Sequence, residues 1–347
     1  MAVKRKAVAL ISGGLDSLLA TRVIQNQGIH VEGINFYTGF CVEGHTHAIR
    51  NHDRSKSKRN NALWVAETLG IKLHIIDVIE EYKDVLLNPR HGYGANLNPC
   101  LDCKSFMVRK AREWLEAHDF DFIITGEVVG QRPMSQRRDT MPVIMRESGT
   151  EDCLLRPLCA QSLPATLPER EAWVDRGKLF NFQGRSRKPQ IALAKAFGFT
   201  DYAQPAGGCC FLTDASYSDK LRDLWAHREN RDYDLDDIML LKVGRHLRPK
   251  PHFKLIVARD SGETNYLMGY RKDFTSLDCS SHPGPLALLM GAAGPADVEL
   301  AARIVARFGQ GRDAEKVRVS VTTNEGLEQV LEVVPMAVEA VSEAWYL

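Results

Sequence analysis

Short apolar runs alternate with amphipathic segments along the first part of the chain. The apolar runs have the length of buried β-strands and cover Lys6–Ile11, His30–Phe36, Lys72–Val78 and Phe120–Thr125. Apolar residues at helical spacing predict helices after the first run, over Asn60–Gly70 and over Phe106–His118. Strands that alternate with helices predict an α/β fold, a doubly wound parallel sheet that binds ligands at the carboxyl ends of its strands.

The turn after the first strand, Ser12-Gly-Gly-Leu-Asp-Ser17, is the most informative motif. Its glycines let backbone N–H groups approach an anion, and the helix that follows adds its positive dipole end. The residues expected to hold a pyrophosphate group are Ser12, Gly13, Gly14 and Ser17. Asp16 repels phosphate unless Mg²⁺ lies between them. The motif therefore predicts a nucleotide site with magnesium; the ordinary alternative is a serine-capped helix after a glycine turn.

Two motifs of this part resemble known families. The SGGLDS turn resembles the PP-loop of the ATP pyrophosphatase superfamily, whose members adenylate a substrate and release pyrophosphate. The segment from Gly126 to Gln136, which follows the fourth predicted strand, resembles the post-strand motif of the tRNA 4-thiouridine synthetases. The resemblance implies ATP as cofactor, an adenine nucleotide alpha-hydrolase-like fold, and contacts to the nucleotide or the target base from Phe36, Gly126 and Gln131.

Cysteines form the second candidate site. Cys100-Leu-Asp-Cys103 opens a predicted helix, where the dipole favours thiolates, and Cys209 and Cys210 follow two glycines. From the residues alone, a redox disulfide, a zinc half-site and an iron–sulfur half-site remain open, as does simple burial.

The cysteine pattern also resembles the three-cysteine cluster of the non-redox 4Fe-4S tRNA thiolases. That resemblance implies Cys100, Cys103 and Cys209 as cluster ligands, although the adjacent Cys210 departs from the pattern. A persulfide relay, in which one cysteine carries sulfur and another resolves it, is the competing scheme. The other cysteines, which lack partners at ligand spacing, are expected in packing roles: Cys41, Cys153, Cys159 and Cys279.

The last third of the chain predicts a separate module. A helix over Asp219–His227 precedes an acidic stretch that we interpret as a linker, and Met239–Lys254 is strongly basic. The segment from Ile238 to Tyr270 resembles the RNA-binding domain of NFACT-type proteins, which implies an α+β fold that binds RNA. Further predicted elements are a strand at Asn265–Met268, a helix over Pro295–Phe308, strand, helix and strand within Val317–Val334, and a last helix over Met336–Trp345.

Length and charge set the domain plan. At 347 residues with 44% hydrophobic content, the chain can form two or three domains with their own cores. We expect a PP-loop domain with the cysteine cluster over 1–215, a helix and linker over 216–237, and the RNA-binding domain with a C-terminal extension over 238–347. The formal net charge of +1 means that local basic patches must hold any nucleic acid.

Basic segments outside the last third are less specific. The stretch 37–58 contains His45, His47 and His52 among arginines and lysines; a metal site, a basic loop near an RNA backbone and a plain solvated loop are all open. Arg185 and Arg187 belong to a second basic turn, which suits RNA phosphates or solvent equally.

No signal peptide precedes the first strand and no apolar run reaches membrane-spanning length. The cytoplasm is therefore the expected compartment and no membrane partner is expected. There, the eight cysteines are expected as thiols, metal ligands or redox groups and not as a disulfide framework.

Together these features predict a chain that resembles an ATP-dependent tRNA thiouridine synthetase. ATP·Mg²⁺ would adenylate a uracil carbonyl oxygen, and sulfur would then displace AMP; the expected catalytic residues are Asp16, Cys100, Cys103 and Cys209. The expected partners are tRNA and a sulfur donor (sulfide, a cysteine desulfurase or another carrier), with a homodimer as an option. Thiolation at C4 in the tRNA body is favoured over C2 at the wobble uridine. The rivals are a PP-loop ligase that forms an amide or nitrile on a small molecule, and a tRNA- or ribosome-binding protein with an inactive nucleotide fold.

Overall fold

The computed structural model describes residues 5–41, 59–203 and 210–347. These residues divide into two compact units. The amino-terminal unit contains the described residues up to Thr213, and the carboxyl-terminal unit contains residues 214–347. Cys209 and the histidines of the 37–58 loop lie outside the described residues.

The amino-terminal unit is a five-stranded parallel sheet with helices. Its elements are β1 (Lys6–Leu10), α1 (Leu15–Gln25), β2 (His30–Tyr37), α2 (Asn61–Leu69), β3 (Leu73–Asp77), α3 (Ile79–Leu87), α4 (Cys100–Ala117), β4 (Phe122–Ile124), α5 (Thr140–Ser148), β5 (Leu154–Leu155), α6 (Leu167–Arg170) and α7 (Lys188–Ala196). The strand order is β3-β2-β1-β4-β5, and all neighbours are parallel. The predicted doubly wound parallel sheet is confirmed.

The centre of this sheet explains where a ligand would bind. Strand β1 is buried on both faces, with Ala7, Val8 and Ala9 almost fully enclosed, and pairs with β2 on one side and β4 on the other. The chain winds outward from β1 through β2 to β3 and then crosses back to β4. In open parallel sheets such a reversal leaves a crevice at the carboxyl ends of the two central strands. The turns that follow β1 and β4 therefore border one crevice.

The carboxyl-terminal unit is built on a six-stranded antiparallel sheet. Its elements are α8 (Ala215–Ala226), α9 (Leu235–Leu240), β6 (Arg245–Lys250), β7 (Phe253–Val257), α10 (Ser261–Met268), β8 (Thr275–Cys279), β9 (Ala287–Gly291), α11 (Pro295–Phe308), β10 (Val317–Thr322) and β11 (Glu328–Val333). The strand order is β11-β10-β8-β9-β7-β6. The buried face of α11 packs on this sheet and completes its core.

Three sequence predictions in this unit are wrong. Asn265–Met268 is the end of helix α10 and not a strand, because Asp260 caps the helix by accepting from the Glu263 N–H at 2.9 Å. No helix separates β10 from β11, since a turn at Gly326, whose φ is +85°, joins them directly. The predicted last helix is replaced by two single turns, at Val338–Ala340 and Glu343–Trp345.

The acidic stretch interpreted as a linker packs within the carboxyl-terminal unit. Tyr233 is buried, and Asp234 and Asp237 form a capping box at the start of α9. Arg228 donates two hydrogen bonds to the Asp237 carboxylate. Apolar and ionic contacts thus hold the stretch against the unit that follows it.

No helix in the described part of the chain combines the length and hydropathy needed to cross a membrane.

Candidate active site

The turn between β1 and α1 is wound around its two serine hydroxyls. Ser17 Oγ donates to the Gly14 carbonyl at 2.8 Å, while Ser12 Oγ donates to Ser17 Oγ at 3.5 Å and accepts from the Gly14 N–H at 3.4 Å. Gly13 has a φ of +80°, a conformation that favours glycine. Among the residues that the structure describes, no side chain caps the first turn of α1. Its N–H groups are therefore available to an anionic ligand.

Gly126 brings the segment after β4 directly against this turn. A Cβ atom at position 126 would lie 2.6 Å from the Ser17 nitrogen and still closer to the Asp16 carbonyl group. Both neighbours are backbone atoms, so a side chain cannot be accommodated by a rotamer change. The sequence suggested Gly126 as a ligand contact; its place in the structure is a close approach of two backbones that leaves no room for a side chain.

Asp16 belongs to a buried chain of polar side chains. Gln131 Nε2 donates to Asp16 Oδ2 at 2.6 Å, and Gln190 Nε2 donates to Gln131 Oε1 at 2.7 Å. Gln131 and Gln190 are both buried. The Arg187 guanidinium lies 3.7 Å from the same Asp16 oxygen. One carboxylate of the PP-loop is thus held by a loop after β4 and by the start of α7.

The environment of Asp16 fits a divalent cation. Burial raises the pKa of the Asp16 carboxyl above its usual value, and the positive charge of Arg187 and the Gln131 hydrogen bond only partly oppose this effect. Asp16 Oδ1 is buried and has no hydrogen-bond partner among the residues that the structure describes. Mg²⁺ in nucleotide sites is held by one or two carboxylates together with phosphate oxygens and water. Asp16 could supply such an oxygen.

Glu127, next to Gly126, is a buried carboxylate that binds several polar neighbours. Its carboxylate accepts from Thr125 Oγ1 and from Arg156 Nε, each at 3.0 Å, and lies 3.7 Å from Lys104 Nζ. Although burial alone would raise the pKa of Glu127, the charges of Lys104 and Arg156 hold it below its usual value. The ion pair ties the loop after β4 to the first turns of α4, where the cysteine motif lies.

The cysteine motif lies in the first turn of α4, at the start of a helix as predicted. The helix begins at Cys100, six residues before the apolar pattern that starts at Phe106. Cys100 Sγ donates to Ser135 Oγ at 3.5 Å, and Cys210 Sγ donates to Asn98 Oδ1 at 3.8 Å. Cys41 pairs with Cys210 in an isolated antiparallel bridge. Thiols from three distant segments therefore approach the amino terminus of α4.

The fit of an iron–sulfur cluster is a separate question. In the described ranges, no three His, Cys, Asp or Glu side chains are placed to hold a metal ion together, and Cys209 lies outside those ranges. The described residues alone therefore do not form a cluster site. Burial raises the pKa of the Cys153, Cys159 and Cys279 thiols to about 11, which suits the packing roles expected for them.

The sequence predicted some of the residues at this site and missed others. Phe36 lies within β2, as predicted, and is buried; the contact expected from it to the nucleotide or target base stays a prediction. From the sequence, Arg187 suits RNA phosphates or solvent equally, and no pattern points to Gln190. A packing role is expected for Cys41, and its backbone pairs with that of Cys210 in an isolated bridge. The only advance signal was the basic turn around Arg187, whose partner Asp16 is 171 positions away.

Two family models match the chain, one in each unit. The tRNA methyl transferase HUP domain matches residues 5–147. The NFACT protein RNA binding domain matches residues 244–346. The similarity to an NFACT-type domain, noted in the sequence over Ile238–Tyr270, therefore extends almost to the end of the chain.

Curated relatives are similar to part of this chain. The tRNA-specific 2-thiouridylase MnmA of Marinobacter nauticus is 25% identical over 223 residues, which are 62% of this chain and 53% of that protein. MnmA of Mannheimia succiniciproducens is 31% identical over 134 residues, 37% of this chain and 33% of that protein. The chain thus spans between about a third and a half of the length of these relatives.

A solved 4-thiouridine synthetase–RNA complex with bound ATP has 24% sequence identity and a TM-score of 0.33, and the match covers 44% of this chain and 36% of that one.

Proposed function

We propose that this chain is an ATP-dependent tRNA thiouridylase. The observation that carries the proposal is that one loop contacts both the PP-loop and the cysteine motif. In the segment 126–136, Gln131 donates to Asp16 of the PP-loop and Ser135 accepts from the Cys100 thiol. A nucleotide bound at the PP-loop and a sulfur-bearing cysteine would therefore lie on either side of the same short segment.

The PP-loop would perform the activation step. The uracil carbonyl oxygen attacks the α-phosphorus of ATP, and the bond to the β-phosphate breaks with release of pyrophosphate. Gly13, Gly14 and the open first turn of α1 would bind the pyrophosphate through N–H groups. Asp16 would hold Mg²⁺, which neutralises the phosphates. Arg187, 3.7 Å from Asp16, would keep this carboxylate ionised despite its burial.

Sulfur transfer would take place at the start of α4. A sulfur nucleophile attacks the activated carbon, and the original oxygen leaves with AMP. Cys100 contacts Ser135 of the segment 126–136, and Cys103 belongs to the same first turn of α4. Cys210 contacts Asn98, two residues before α4, and Cys209 precedes Cys210 in sequence. A 4Fe-4S cluster on Cys100, Cys103 and Cys209 stays a prediction from the sequence. Iron and sulfide analysis of anaerobically purified protein tests it, and an iron-free protein that thiolates with a cysteine desulfurase and cysteine as the sulfur source would leave the persulfide relay.

The carboxyl-terminal unit would dock tRNA, as its match to an RNA-binding family supports. For the modified atom we retain C4 of uracil, because the segment 126–136 resembles the motif of 4-thiouridine synthetases. The names of the curated relatives support C2 as the alternative. A reducing compartment such as the cytoplasm suits the free thiols of either scheme.

The test is mass spectrometry of tRNA nucleosides after incubation of the protein with tRNA, ATP, Mg²⁺ and sulfide. We expect 4-thiouridine, while a 2-thiouridine would move the reaction to C2. Cys100→Ala should abolish thiolation and leave ATP binding intact, and Asp16→Ala should abolish AMP release. AMP release without any tRNA would instead support the small-molecule ligase. No AMP release under any condition would support an RNA-binding protein with an inactive nucleotide fold.

A further inference from the structure

Most of the basic segment around β6 and β7 is neutralised within the carboxyl-terminal unit. Arg248 forms a bidentate ion pair with Asp223, and Lys254 Nζ lies 3.5 Å from the same carboxylate. Lys250 and His252 contact the two oxygens of Asp297 at 2.6 and 2.9 Å. The side chains that the sequence offered as a phosphate-binding surface are therefore mostly engaged with carboxylates.

Arg245, at the start of β6, differs from these neighbours. Its guanidinium packs over the Phe308 ring, 5.2 Å from the ring centroid, and no carboxylate in the described part of the chain forms an ion pair with it. Arg245, together with Arg307 and Arg312, lines a cavity of about 800 Å³. Arg307 and Arg312 each lie 3.7 Å from Asp313, whose side chain is 82% exposed. Water screens such an ion pair, so both arginines stay available to an anion.

The last residues of the chain form the other wall of this cavity. Tyr346 pairs with Leu247 of β6 in a backbone bridge, and the Leu347 N–H donates to the His246 carbonyl at 3.2 Å. Trp345 packs against the hydrophobic core of the unit. The carboxyl-terminal segment is therefore a fixed part of the cavity. It presents Tyr346, which is 45% exposed, together with Glu339 and Glu343.

We propose that this cavity binds an unpaired nucleotide of the substrate RNA. Three arginines would contact phosphate, and the exposed ring of Tyr346 offers a surface on which a base can stack. The two glutamates would repel a phosphate placed beside them, but they can accept hydrogen bonds from base amino groups. The volume lies within the usual range for small-ligand sites. The proposal rests on the proposed function only in naming tRNA as the source of the nucleotide.

Fluorescence anisotropy with labelled tRNA, and with a single-stranded and a duplex RNA of one sequence, tests this site. Arg245→Ala with Arg307→Ala should weaken binding of tRNA and of the single strand at least tenfold. The slope of log affinity against log salt should become shallower by about 0.7 for each phosphate that the variant no longer neutralises. Tyr346→Ala should weaken single-strand binding about tenfold, because a stacking surface is removed, and leave the salt slope unchanged. Duplex RNA should bind weakly to every form.

Controls separate this site from general effects. Arg318 is an exposed arginine of β10 outside the cavity, so Arg318→Ala should bind like wild type. Arg245→Lys keeps the charge but not the planar fork, so its affinity should fall less than that of Arg245→Ala at equal melting temperature. Wild-type affinity in the double variant, or an equally weakened Arg318→Ala, would overturn the proposal. If RNA affinity depends on these residues but the protein never thiolates tRNA, the cavity proposal stands and only the proposed function is overturned.

Discussion

The hydrogen bond from Gln131 to Asp16 gives the sharpest test of the nucleotide site. Gln131→Ala removes a 2.6 Å donor from Asp16 Oδ2 and leaves the buried Gln190 Nε2 without its acceptor. The Arg187 guanidinium, 3.7 Å from Asp16, remains. A hydrogen bond to a charged group contributes about 1.5–3 kcal/mol. If Asp16 must be ionised and oriented to hold Mg²⁺, kcat/KM for ATP should fall about 10- to 150-fold.

The pH profile supplies a second readout that a change in stability would not move. Burial raises the pKa of Asp16, and the Gln131 hydrogen bond is one of the interactions that lower it. Activity that needs the ionised carboxylate is present above this pKa and disappears as the pH falls through it. Removing Gln131 raises the pKa further, so the acid limb of the profile should move to higher pH.

The assay is tRNA-dependent AMP release across a pH series, with melting temperatures measured in parallel. Gln161→Ala is the matched control, because its Nε2 donates to the Leu179 carbonyl at 2.7 Å in the same unit but away from the PP-loop. The control should keep the wild-type kcat/KM and acid limb. A Gln131→Ala protein with wild-type kcat/KM and an unshifted acid limb would refute the assigned role of the Asp16 chain.

Two further predictions concern packing and thiol chemistry in the amino-terminal unit. Gly126→Ala should lower stability by about 1–3 kcal/mol and abolish AMP release, since the new Cβ would lie 2.6 Å from the Ser17 backbone nitrogen. A Cβ at position 14 would meet only Ser12 Oγ, at 3.5 Å, so Gly14→Ala should unfold much closer to wild type. Equal melting curves for the two variants would contradict this. Mild oxidation should join Cys41 to Cys210, because an antiparallel pair of this kind brings Cα atoms within about 4.5–5.5 Å, the range of a disulfide. Non-reducing peptide mapping of a Cys209→Ser variant checks it, and oxidation that never involves Cys41 would count against the pairing.

Strong periodic patterns made the architecture predictable. The helix over Pro295–Phe308 was predicted with its observed ends, because proline at its start and a continuous apolar face define it locally. The four apolar runs likewise became parallel strands β1 to β4. Parallel order follows from the alternation of strands and helices, which the chain shows without any tertiary information. The two-residue β5 has too short a pattern to predict.

Contacts between distant segments were not predictable. The basic stretch near β6 is expected to bind RNA, and nothing in the sequence shows that Asp223 and Asp297, 25 and 47 positions away, pair with Arg248 and Lys250. Nothing in the sequence shows that Gly126 meets the PP-loop backbone, and the contact expected from it to the nucleotide or target base stays a prediction. Local preference also failed at Asn265–Met268, where an Asp260 cap decides for helix. Sequence patterns therefore predict which polar and charged groups a segment contains more readily than which residues those groups contact in the structure.

The stoichiometry of the reaction tests the central claim most directly. AMP, pyrophosphate and thiouridine should be measured in one reaction of wild-type protein with tRNA, ATP, Mg²⁺ and sulfide. The account predicts one AMP and one pyrophosphate for each thiouridine formed, no AMP without tRNA, and none of the three products with Asp16→Ala. Release of ADP and phosphate, or thiouridine formed at an unchanged rate by Asp16→Ala, would contradict adenylation at this PP-loop.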